Sequence, residues 1–214
     1  MKSGRYVLWL ERKATQLRRI VTNSALEPLD PFALAERMAI PIFTPQTVDG
    51  VDEDSLRQLL VTEPQCWSGG MLRISKDQCV ILLNPTHAMT RQRATLMEEI
   101  SHFYLRHRPS VISAHADEPF RSYRRSDEKQ AYGVAAAALL PMQALKVCME
   151  IEMSLASIAS KYGVSIPLVQ YRKNITKAIL ASNESKTSLT ALDSKKKSVA
   201  PTSTSQNEPK RRES

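Results

Sequence analysis

The segment TLMEEISHFYLRH, Thr95 to His107, constrains this chain more than any other. It lies in a run beginning at Thr90 in which Leu96, Met97, Ile100, Phe103 and Tyr104 recur at helical spacing, so a long helix is predicted that stops by Pro109. On that helix Glu98 and His102 are four residues apart and share a face, with Glu99 beside them. The pattern is that of H-E-x-x-H with a carboxylate in place of the first imidazole. Taken alone, acids and a histidine opposite an apolar stripe are what a solvated helix face looks like, and the stretch by itself favours that reading. Of the other histidines, His107 lies five residues past His102 and turns off the face, and His87 and His115 fall in predicted loops. All three are expected at the surface.

The rest of the chain reads as α+β. Residues Tyr6 to Ala25 carry Leu8, Leu10, Leu17, Ile20 and Val21 in an imperfect helical period. In LDPFALAERMAIP, Asp30 is the expected N-cap and Pro31 the first helical residue of a short helix that ends before Pro41. IPIFT reads as a strand and DEDSLRQLL as a short helix before Glu63-Pro64. WSGGMLRIS and QCVILLNP then form a predicted hairpin. SDEKQAYGVAAAALLP opens on Ser126 as an expected cap, and its alanines call for close packing against a neighbour. Two further helices flank KYGVS, with Gly163 as stop and Ser165 as the next cap, resembling a helix-turn-helix. Leu155, Ile158, Ala159, Val164, Leu168 and Val169 form its expected packing surface.

The 214 residues, 42% of them hydrophobic, suffice for an ordinary core, and no run reaches the length of a membrane span. The N-terminus does not read as a signal peptide, so the expected location is cytoplasmic, with no membrane partner. Cys66, Cys79 and Cys148 suit neither a disulfide framework nor a metal knuckle and are read as free thiols. The net charge of +8 invites an acidic partner. From Ser182 onward, however, seven bases stand against four acids in a Ser-, Thr- and Lys-rich tail that accounts for three of those charges. That tail is expected to be disordered, with only weak, non-specific affinity for nucleic acid. Arg172 and Lys173 on the last helix are the candidate nucleic-acid contacts, set against the alternative that this helix pair is scaffold.

Four landmarks in order, DPFALAERMAIPI, VILLNP, RQRATLMEEISHFYLRH and DEKQAYGVAAAALLP, resemble the ImmA/IrrE family of metallo-endopeptidases, in a variant subgroup with EExxH for HExxH. The resemblance spans about Leu29 to Pro141 and implies a zincin-like fold, a small antiparallel sheet with surrounding helices. Residues 1–28 would be an N-terminal helix, 29–145 the peptidase domain, 146–181 the helix-turn-helix-like appendix and 182–214 the basic tail. It assigns Glu99 as general base and Glu98, His102 and Glu128 as ligands of one divalent ion, Zn²⁺ or, given the oxygen-rich set, Mn²⁺. A second carboxylate brings the centre to zero formal charge and weakens its Lewis acidity. Tyr123 is the candidate oxyanion stabiliser. Gln130 and Tyr132 depart from the family pattern. The implied partner is a protein substrate, a helix-turn-helix repressor; the alternatives are a non-catalytic module that binds such a regulator and a DNA-binding protein using the helix pair and tail.

Overall fold

The structure, a computed structural model, describes residues 4–108 and 124–197, with side chains through residue 181. Its elements are α1 (Gly4–Arg18), α2 (Pro31–Arg37), β1 (Ile42–Phe43), α3 (Glu53–Arg57), β2 (Gly69–Arg73), β3 (Cys79–Leu83), α4 (Met89–Tyr104), α5 (Arg125–Leu139), α6 (Met142–Glu150), α7 (Leu155–Tyr162) and α8 (Ile166–Lys197). Local chemistry sets most boundaries. Asp30 accepts from the Phe32 amide at 3.1 Å and Pro31 begins α2. Asp52 accepts from the Ser55 amide at 2.8 Å at the start of α3. Gly163 closes α7 in the left-handed region, at φ 61°, where a Cβ would strain the backbone. Ser165 then caps α8 through the Leu168 amide. At α5, by contrast, Arg124 holds the N-cap position and Ser126 lies inside the helix.

The sheet order is β1-β3-β2, with β2 antiparallel to β3 but β1 parallel to it. The expected purely antiparallel sheet is therefore a mixed one. Only β2 and β3 are joined by a hairpin; β1 reaches β3 through a crossover containing α3 and β2, and a connection of that length permits the parallel sense. Gly69 at the start of β2 makes a close approach possible, since a Cβ there would lie 2.7 Å from Thr95 Cγ2 of α4 and 3.0 Å from the Leu82 carbonyl.

One apolar cluster joins residues from α1 through α8, including Leu10, Leu34, Ile81, Met97, Ile100, Leu145, Ile158 and Val169. The segments read as an N-terminal helix and, through residue 177, as an appendix belong to the same compact unit as residues 29–145. From the expected packing surface of the last two helices, Ile158, Ala159, Val164, Leu168 and Val169 are buried. The alanine run of α5 is buried from Val134 to Leu140 against α1 and α4. At Gly133 a Cβ would stand 2.7 Å from Leu10 Cδ1 of α1. The remaining unit, from Ala178, has helical backbone through Lys197, past the Ser182 boundary assigned to the tail. Cys79 and Cys148 are buried thiols and Cys66 an exposed one.

Candidate metal centre

Helices α4 and α5 pack side by side and carry the motif residues on their facing sides. Glu98 and His102 lie one turn apart on α4, and Glu128 in the first turn of α5 completes the group. One ligand atom from each of the three lies within 4.8 Å of the other two. The His102 Nε2 atom is 3.7 Å from Glu128 Oε2. His102 is 1% exposed, whereas the Glu128 side chain is 46% exposed, so the cluster opens to solvent on the α5 side. The solvated-face alternative is thereby excluded for His102, because α5 covers that side of α4.

Burial sets the protonation of the group. Loss of hydration, with the Glu128 and Glu99 carboxylates adding repulsion, pushes Glu98 up to about 7. Burial, reinforced by His107 and opposed by Asp127, holds His102 down at about 4. At neutral pH the imidazole is therefore uncharged, and the 3.7 Å approach to Glu128 is not an ion pair. A neutral imidazole and clustered carboxylates are a donor set that fits one divalent cation. Glu99 follows Glu98 on α4, close enough to act electrostatically on both Glu98 and Cys79 of β3.

Several expectations for single residues change. His107 is not at the surface: it is 8% exposed, and its Nδ1 lies 3.1 Å from His102 Nδ1 with the rings edge to face. The cause is the end of α4. Arg106 adopts φ 58°, its amide donates to the Phe103 carbonyl, and the His107 amide donates back to the His102 carbonyl at 3.0 Å. This Schellman closure folds residue C″ onto residue C3, so five residues along the chain become direct neighbours. The H-x₄-H spacing at a helix end was the available signal. His87 is also buried, its Nε2 3.1 Å from the Pro64 carbonyl. Tyr123 and His115 lie outside the described residues.

Arg172, expected as a nucleic-acid contact, is 1% exposed. Its guanidinium pairs with Glu11 of α1 and donates to the Leu140 carbonyl at 2.8 Å, while Glu11 also accepts from the Met142 amide. A residue so enclosed cannot meet a phosphate. Its sequence neighbour Lys173 lines a shallow cavity of about 360 Å³ with Met149, Met153, Ile158 and Lys177.

The sequence profile of the IrrE N-terminal-like domain, peptidase family M78, matches residues 55–174. The chain belongs to this family. The matched region runs from α3 into α8 and contains Glu98, Glu99, His102, His107, Glu128 and Gln130. No curated protein matches the chain. Within this M78 domain the EExxH motif occupies the helix that faces Glu128, and membership in a peptidase family makes metallopeptidase chemistry the activity associated with the cluster. Among the described residues, no single helix is long and apolar enough to cross a membrane. The bent pair α5–α6, which has the composition for it, supplies core residues of the domain.

Proposed function

We propose that the chain is a metal-dependent endopeptidase with a zincin-like site. The observation that carries this reading is the convergence of Glu98, His102 and Glu128 from two helices, with Glu99 adjacent. Glu98, His102 and Glu128 would hold one divalent ion, Zn²⁺ or Mn²⁺. When bound, the ion supplies Lewis acidity toward the scissile carbonyl. Glu99 takes a proton from the attacking water as the water oxygen bonds to the carbonyl carbon. It returns that proton to the amine nitrogen as the carbon–nitrogen bond breaks. The substrate would be a protein, a helix-turn-helix repressor, pairing as an added strand with the outer edge of β2.

The test combines metal analysis with cleavage of a candidate repressor. Wild type is expected to carry about one equivalent of metal and to cut. Glu99→Gln should keep the metal and lose about 10²–10⁴-fold in rate, the span of general-base contributions. Undiminished cleavage by Glu99→Gln, or cleavage that persists after metal removal, would overturn the mechanism. Tight repressor binding without cleavage or metal would identify the non-catalytic module instead. The DNA-binding alternative loses one of its two candidate contacts with the burial of Arg172.

A further inference from the structure

The positive charge of the chain is unevenly placed. Three of its eight net charges belong to the tail from Ser182, and residues 26–181 balance, with seventeen bases against seventeen acids. The other five therefore fall in residues 1–25, where six bases stand against Glu11 alone. Helix α1 sorts these charges by face. Arg18 is turned into the core, donating to the Ala138 carbonyl at 2.7 Å and the Ser24 carbonyl at 2.8 Å. Lys13 leans toward α4, its Nζ 5.7 Å from the centre of the Tyr104 ring. Glu11, which would otherwise offset the bases, is paired with Arg172. Arg5, Arg12 and Arg19 are left exposed. The Arg19 amide donates to the Thr15 carbonyl at 3.1 Å, so this residue continues the helical path. Seven residues fall only about 20° short of two turns, so the three arginines form one row, about 10 Å apart and about 21 Å from first to last. Leu8, Thr15 and Gln16, on the same face, are exposed and uncharged. The opposite side, Val7, Leu10, Ala14 and Leu17, is buried and fixes the row on a rigid element.

We propose that this face of α1 docks on the phosphodiester backbone of duplex nucleic acid, with Arg5, Arg12 and Arg19 each meeting a phosphate. A guanidinium presents a planar fork of donors that matches phosphate oxygens bidentately. A straight row of evenly spaced forks fits a partner whose charge is itself evenly spaced, and a duplex carries one charge per about 1.7 Å of its axis. A lipid surface fits less well. Helices that lie in a bilayer interface bury a broad apolar face there, whereas the apolar side of α1 is in the core and Leu8 is the large apolar residue left in the row. Solubility is served by charges of both signs, the balance found in residues 26–181, rather than by a row of one sign. The contact is independent of sequence, because phosphates carry no base information. It uses neither Arg172 nor the ligand cluster, so it stands whether or not a metal binds.

Anisotropy of a labelled DNA duplex of arbitrary sequence, titrated with the full chain between about 50 and 200 mM salt, tests the proposal. Wild type should bind with a Kd of about 10⁻⁶ M or lower at the low-salt end. Arg5→Gln, Arg12→Gln and Arg19→Gln together should weaken binding there by about 10²–10³-fold. The plot of log K against log salt should become shallower by about 2.7, the share of three phosphates. Neutralising the exposed Arg37, Arg57 and Lys76 to Gln changes the net charge equally and should weaken binding only a few-fold. The same small effect is expected for Lys195→Gln, Lys196→Gln and Lys197→Gln together in the tail. A wild type that does not bind the duplex at about 50 mM salt overturns the proposal, as does an α1 variant that loses no more than the other two. Binding to vesicles of phosphatidylcholine and phosphatidylserine without binding to the duplex also overturns it, and assigns the face to a lipid surface. The substituted α1 side chains are exposed, so the variant should melt like wild type. Should it not fold, Arg12→Gln alone decides, with an expected slope change of about 0.9.

Discussion

Replacing Glu98 by Gln should make the metal-free protein more stable, and increasingly so as pH rises. Glu98 has an ordinary value of 4.5 when unfolded and about 7 when folded. A carboxyl raised by folding contributes its full share below pH 4.5, where it is protonated in both states, and loses that share as pH climbs through 7. At about 1.4 kcal/mol for each pH unit of displacement, wild type forfeits up to about 3 kcal/mol between pH 4.5 and pH 8. Gln has nearly the shape of a protonated Glu and does not titrate. The His102 contribution has the opposite sense. Held at about 4 against an ordinary 6.5, it is present above pH 6.5 and lost as pH falls through 4. The two slopes cancel in wild type between pH 4.5 and 6.5, which should leave its stability nearly flat there, while Glu98→Gln rises across the same window. Urea unfolding in a chelator from pH 4 to 8 measures this directly, with the difference between the two proteins isolating Glu98. A difference that does not change with pH, or a variant less stable than wild type at pH 8, would refute the reasoning.

Added Zn²⁺ at about 100 times its dissociation constant should raise the stability of wild type by about 2.7 kcal/mol and leave His102→Ala unmoved, as followed by thermal melting. Glu98→His should bind Zn²⁺ more tightly, on the order of tenfold, because imidazole suits zinc and removes one carboxylate from a repulsive cluster; chelator competition gives the ratio. Arg172→Met should cost about 3–5 kcal/mol by leaving Glu11 enclosed without its partner, and pairing it with Glu11→Gln should recover much of the loss in urea unfolding. Gly133→Ala should cost about 1–3 kcal/mol, since its methyl group meets the fully buried Leu10, and a shorter side chain at Leu10 should relieve part of that strain.

Periodicity and capping chemistry made much of the molecule legible from its residues. Asp30 with Pro31, Gly163 and Ser165 each do locally what their types dictate, because a cap is decided within one turn of backbone. The spacing of Glu98, Glu99 and His102 follows from the helical repeat, and the alanines of α5 foretold close packing because only small side chains admit a neighbouring helix. Tertiary structure alone decided which face of α4 is covered and that β1 runs parallel to β3. It also turned Arg172 inward to Glu11 and brought Glu128 to within 3.7 Å of His102 across a separation of 26 residues. His107 lies between the two cases. Its placement beside His102 comes from one left-handed residue, Arg106, in a position where no glycine advertises the turn. The physical reason is common to all of these. A helix or a cap is fixed by groups a few bonds apart, whereas the burial that shifts Glu98 and His102 exists only once a second helix has excluded water from the first.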